Sequence, residues 1–133
     1  MSTGQPLRRV LYVEDEPDIR EIATLALERM GGFEVHTCPS GKDALEAVHG
    51  FSPDLILLDV MMPGMDGPTT LQAFRELPEL ANTPIVFMTA KTQAHEVERY
   101  RALGVAGIIA KPFDPMTIAD KVREFWSEHV GTS

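Results

Sequence analysis

Residues 55–67 read LILLDVMMPGMDG. Four large apolar residues, Leu55 to Leu58, run without a break into a carboxylate, Asp59. Two methionines and the Pro63-Gly64 pair follow. An unbroken apolar run suits a strand covered on both faces; a strand with one wet face would alternate. The Pro-Gly pair then marks a turn. Asp59 therefore stands where a buried strand ends. It either ends the strand by reaching water or is held there for chemistry.

The surrounding chain repeats the same unit. Val10 to Val13 is a short apolar run that ends at Glu14-Asp15-Glu16. Pro17 suits a first helical turn, and Ile19, Ile22, Ala23, Ala26 and Met30 recur at helical spacing until Gly31-Gly32 stops them. Phe33, Val35 and Thr37 alternate with Glu34 and His36, as in a half-exposed edge strand. Ser40 with Asp43 has the spacing of a capping box, ahead of a helix carrying Ala44, Leu45, Ala47 and Val48. A helix beginning near Gly67-Pro68 carries Leu71 and Phe74. Ile85 to Met88 form a fourth strand, and Thr92 is placed to cap a helix holding Val97, Tyr100 and Leu103. Gly107 to Ala110 form a small fifth strand. Asp114-Pro115 opens a last helix with Ile118, Val122, Phe125 and Trp126.

Five apolar strands joined by helices predict a parallel α/β sheet covered on both faces. Five are too few for a closed barrel, so the sheet is expected to be open and doubly wound. Sites in such sheets lie beyond the carboxyl ends of the strands. Glu14 and Asp15 follow strand one, Asp59 ends strand three, Thr89 ends strand four and Lys111 ends strand five. Separate stretches thus converge on one rim.

The chain has 133 residues, 44% of them apolar, which suits one domain with a real core. We expect that domain over 7–129, with flexible ends at 1–6 and 130–133. No segment approaches the roughly 20 apolar residues of a membrane span, and MSTGQPLRR lacks the apolar stretch of a secretory signal. Cys38 is the single cysteine, so no internal disulfide forms. Together these favour a cytoplasmic setting. The net charge of −8 argues against direct nucleic-acid binding and is compatible with divalent cations or basic protein partners.

Carboxylates gathered on one rim repel one another unless a cation joins them. Glu14, Asp15 and Asp59 supply hard oxygen ligands with no His or Cys cage, which matches magnesium. Lys111 supplies a compact positive charge of the kind that pairs with phosphate. Thr89 supplies a hydroxyl. These are the parts needed to move a phosphoryl group onto an aspartate. The methionines at 61, 62 and 65 read as packing. His36, His49, His95 and His129 have no ligand spacing and read as surface residues. Cys38 reads as inert.

Four segments, VEDE at 13–16, LLDVMMPGMDG at 57–67, FMTA at 87–90 and AKPF at 110–113, occur in an order and spacing that resembles a response-regulator receiver domain over nearly the whole chain. The resemblance implies a flavodoxin-like sheet with strand order 2-1-3-4-5. It implies that Asp59 accepts a phosphoryl group from a phosphohistidine on a sensor histidine kinase or histidine phosphotransfer protein. Asp15 would bind Mg2+ directly, Glu14 through water, and the backbone carbonyl of Met61 would complete the protein ligands beside Asp59. Thr89, with Ala90 beside it, would bind the phosphoryl oxygens and shift on phosphorylation. Lys111 would pair with the phosphoryl group, with Pro112 following a cis peptide. The same bond is expected to be cis because strand five must turn sharply to aim Lys111 at the rim and send Phe113 back to the core.

Three departures qualify the resemblance. The first acidic position is commonly aspartate and here is Glu14. The relay position on strand five is commonly Tyr or Phe and here is Ile108. Receivers of this kind often precede a DNA-binding or catalytic domain, and these 133 residues hold none; unless the chain is a fragment of a longer regulator, its expected output is contact with a downstream target protein made by the receiver itself. Two other functions compete. A phosphorylation-independent binding module would have lost the acceptor, the metal acid or the lysine, and all three are present. A magnesium-dependent phosphatase with an aspartyl nucleophile often carries a second aspartate two residues on, where this chain has Met61.

Overall fold

A computed structural model describes residues 6–131 of the chain. Five parallel strands, β1 (Arg9–Val13), β2 (Glu34–Cys38), β3 (Leu55–Asp59), β4 (Ile85–Thr89) and β5 (Gly107–Ala110), form one sheet in the order β2-β1-β3-β4-β5. The helices are α1 (Pro17–Arg29), α2 (Gly41–Phe51), α3 (Gly67–Arg75), α4 (Ala94–Ala102) and α5 (Ile118–Gly131), with a short 3-10 turn at Pro78–Leu80. This is the open doubly wound α/β sheet expected from the strand pattern.

Every residue of β3 and β4 is buried, so neither strand has a polar face. Successive side chains nevertheless point to opposite faces, and the core divides accordingly. Val10, Leu55, Leu57, Val86 and Met88 pack under α1 and α5. Leu11, Val13, Ile56, Leu58 and Phe87 pack under α2, α3 and α4. β2 alternates exposed and half-buried residues until Cys38, the pattern of an edge strand.

The helix starts follow local chemistry. Ser40 caps α2 by accepting the Asp43 amide at 3.1 Å, and Asp66 caps α3 by accepting the Thr69 amide at 2.9 Å. One start differs from the sequence reading. Thr92 does not cap α4, whose N-cap is Gln93 without a side-chain bond. The reason lies upstream: Thr89 Oγ1 accepts the Lys91 amide at 2.9 Å, so the chain is still turning out of β4. Asp114-Pro115 does open the last helix: Asp114 Oδ1 accepts the Met116 amide at 2.9 Å and its carbonyl accepts the Ile118 amide at 3.1 Å, the bonds of an N-cap, ahead of the regular helix from Ile118. Of the expected flexible ends, residues 1–5 and 132–133 lie outside the described residues, and α5 continues through Val130 and Gly131.

Candidate functional site

β3 carries Asp59 to the rim, and the next element packs directly on its backbone. The amide of Gly67, first residue of α3, donates to the Val60 carbonyl at 2.9 Å. A Cβ on Gly67 would stand 2.7 Å from Val60 Cα and 3.0 Å from the Asp59 carbonyl oxygen, so only glycine lets α3 start this close. The Asp59 side chain is 2% exposed. Its Oδ1 accepts the Met61 amide at 3.4 Å and lies 3.3 Å from Lys111 Nζ.

β1 delivers the other two acids. Ligand oxygens of Glu14, Asp15 and Asp59 all lie within 4.8 Å of one another. The two residues of the pair differ in surroundings. Asp15 is half-buried. Glu14 is fully buried: Tyr12 Oη and Lys111 Nζ donate to its Oε1 at 3.3 and 3.2 Å, and the Glu16 amide donates to Oε2 at 3.3 Å. Arg20, on α1, donates to the Glu14 carbonyl at 2.6 Å, tying the helix to the loop that bears the acids. Tyr12 and Arg20 were not singled out from the sequence. Strand alternation places Tyr12 on the same face as Glu14, a readable signal. Nothing in the sequence around Arg20 marks its contact.

Lys111 reaches the acids from β5. Its amide donates to the Thr89 carbonyl at 2.9 Å, and its side chain spans both Glu14 and Asp59. The Lys111–Pro112 peptide is cis, and Phe113 is half-buried against the α1/α5 side of the core. Thr89 is fully buried at the end of β4, one residue beyond Met88, the register partner of Asp59. Glu14, Asp15, Asp59, Thr89 and Lys111 thus share the rim. Ala90 is exposed in the loop beyond Thr89, and the Met61 side chain is 58% exposed. Ile108 stands apart, half-buried beside Phe87 on the α4 side of the sheet.

Electrostatics follow from this crowding. Burial first, and then the Glu14 charge, raise the Asp59 carboxyl from its ordinary 3.8 to about 7, with Lys111 opposing. For Lys111, burial pulls its pKa down, but Asp59 and Glu14 outweigh it and leave the ammonium above its ordinary value. One lysine therefore does not neutralise the cluster. Three clustered carboxylates with no His or Cys among them fit a small, hard divalent cation such as Mg2+. The remaining candidates are placed elsewhere. Cys38 is buried, and burial and Asp43 push its thiol up to about 11. His36, His49 and His95 are exposed, whereas His129 is half-buried with its ring 6.4 Å from that of Trp126.

A sheet of this order with an acidic cluster, a buried aspartate and a lysine on one rim defines a receiver of two-component signalling. The chain belongs to the response regulator receiver domain family, whose profile matches residues 10–123. The DNA-binding response regulator MtrA of Mycolicibacterium smegmatis is 38% identical over 116 residues, 87% of this chain and 49% of MtrA. The transcriptional regulatory protein CseB of Streptomyces avermitilis is 37% identical over 114 residues, 86% of this chain and 47% of CseB. The chain spans about half the length of these curated relatives. The solved structure of the chemotaxis response regulator CheY4 of Vibrio cholerae superposes with a TM-score of 0.83 at 31% identity, covering 90% of this chain and 98% of that one.

Proposed function

We propose that this receiver accepts a phosphoryl group on Asp59 from a phosphohistidine on a sensor histidine kinase or a histidine phosphotransfer protein. The reaction needs Mg2+, and the phosphorylated form changes contacts with a downstream target protein. The observation that carries this reading is the buried Asp59 carboxylate, packed against two further acids and 3.3 Å from Lys111 Nζ.

An Asp59 carboxylate oxygen attacks phosphorus, the O–P bond forms as the P–N bond breaks, and the electron pair leaves on the donor imidazole. Lys111 turns from Asp59 Oδ1 to a phosphoryl oxygen. The Thr89 hydroxyl, which now accepts the Lys91 amide, still has its own proton to donate to another. Asp15, Asp59, the Met61 carbonyl and, through water, Glu14 would hold the cation, which would supply positive charge against the moving phosphoryl group. The chain catalyses only its own phosphorylation and dephosphorylation.

An apolar cleft of ≈ 430 Å³, lined by Ile19, Ile22, Ala90, Pro112 and Phe113, opens beside Lys111. Its apolar lining suits a protein donor over a free metabolite. No helix among the described residues is long and apolar enough to cross a membrane. We place the reaction in the cytoplasm, without direct nucleic-acid contact by this domain. The test is transfer from a panel of purified, autophosphorylated histidine kinases. At least one is expected to label the chain within minutes and none to label Asp59→Asn. Equal labelling of both proteins refutes the proposal.

A further inference from the structure

Tyr12 stands inside the α1/α5-side core with no solvent exposure. A phenylalanine would fill the same apolar space, and a buried hydroxyl needs a partner. The partner here is Glu14 Oε1, at 3.3 Å. Glu14 directly follows β1 and its amide continues the ladder to the Cys38 carbonyl at 3.0 Å, so Tyr12 and Glu14, two apart on extended chain, share a face about 6.6 Å apart. A tyrosine ring and hydroxyl span that rise; a phenylalanine ring stops short of the carboxylate.

Glu14 carries one methylene more than the aspartate common at its position, and so one more torsion to fix. With no solvent exposure, its carboxylate is held by protein donors: Tyr12 Oη and Lys111 Nζ on Oε1, and the Glu16 amide on Oε2. Lys111 in turn lies 3.3 Å from Asp59 Oδ1. A continuous path therefore runs from a core hydroxyl through Glu14 and Lys111 to the acceptor.

We propose that Tyr12 is a positioning residue for the cation site and for Lys111, acting through Glu14. Its hydroxyl pins the longer acid so that Oε1 faces both the cluster and Lys111. When the hydroxyl is removed, Oε1 keeps only Lys111 at 3.2 Å and Oε2 the Glu16 amide at 3.3 Å, and the extra torsion gives the carboxylate more freedom. The inference rests on the receiver reading given above.

The test is a mutant cycle of wild type, Tyr12→Phe, Glu14→Asp and the double variant. Tyr12→Phe keeps the ring, and a thermal melt checks that each protein folds. The first readout is the Mg2+ Kd by titration calorimetry at one pH. Groups that orient direct metal ligands typically matter 10–100-fold in affinity; Glu14 meets the cation through water, so Tyr12→Phe is expected to weaken Mg2+ several-fold, short of that range. In Glu14→Asp the carboxylate is a methylene short of the hydroxyl, and the added Tyr12→Phe is expected to change nothing, giving a non-additive cycle. No weakening in Tyr12→Phe alone, or equal weakening in both backgrounds, overturns the proposal and leaves Tyr12 a core filler. The second readout is the rate of labelling by acetyl phosphate at saturating Mg2+, which falls several-fold in Tyr12→Phe as Lys111 loses its anchor. Wild type that binds Mg2+ with a non-additive cycle yet takes no label supports Tyr12 and defeats the phosphoacceptor reading. Wild type that labels on Asp59 with an additive cycle does the reverse.

Discussion

At the scale of single residues, Asp59 competes for a proton and a cation. Its carboxyl lies at about 7 because it is buried and faces Glu14. The folded, cation-free protein therefore favours the neutral acid more than the unfolded chain does. This contribution to stability is full below the ordinary value of 3.8 and is lost as pH rises through about 7. A tenfold change in proton affinity is worth about 1.4 kcal/mol. In EDTA the melting temperature is expected to fall from pH 5 to pH 8, and added Mg2+ to raise it far more at pH 8 than at pH 5. Asp59→Asn removes most of that slope. Melting profiles of the two proteins that stay parallel across the interval contradict the assignment. The sequence made Asp59, Asp15 and Lys111 readable because strand ends in a parallel sheet share one rim. It did not reveal how Glu14 is held, since a tyrosine in an apolar strand reads equally well as filler.

At the scale of elements, the least anchored helix lies beside the site. Tyr100 is the one fully buried side chain of α4, and its ring packs edge-on against Phe87, with centroids 5.3 Å apart. Phe87 precedes Thr89 by two residues and pairs with Ile108 in register. Ile108 is β-branched and stiff about its first torsion, with no ring to swing. The signal is therefore expected to pass from Thr89 through Ala90 and Lys91 into the first turn of α4. With beryllofluoride as the phosphoryl mimic, amide shifts should be large over that stretch and small at Ile108, with no rotamer exchange there. A rotamer flip of Ile108 with the Thr89–Lys91 segment unmoved overturns this route. The same loops show where sequence reading stopped. Four strands were legible from short apolar runs and β2 from its alternation. The start of α4 was not, because Thr89 binds the Lys91 amide and keeps the chain turning past Thr92, whereas Asp114 opens the last helix as its residue type suggests.

For the whole molecule, topology and site are inseparable. A parallel sheet needs helices on both faces, the crossovers bring every strand's carboxyl end to one rim, and the acids, threonine and lysine occupy those ends. The parallel sheet and its rim were legible from the strand pattern, and the strand order from the family resemblance. The arrangement within the cluster depends on side-chain contacts across as many as 97 residues of chain, as between Lys111 and Glu14, which no local pattern encodes. Everything proposed for this receiver turns on Asp59 alone accepting the phosphoryl group, with a divalent cation required. Incubation with acetyl phosphate and Mg2+, followed by intact-mass and peptide-mapping mass spectrometry, tests that most directly. A single phosphoryl adduct is expected on Asp59, absent from Asp59→Asn and absent when EDTA removes the metal. An adduct that persists in Asp59→Asn, or that forms equally in EDTA, contradicts it.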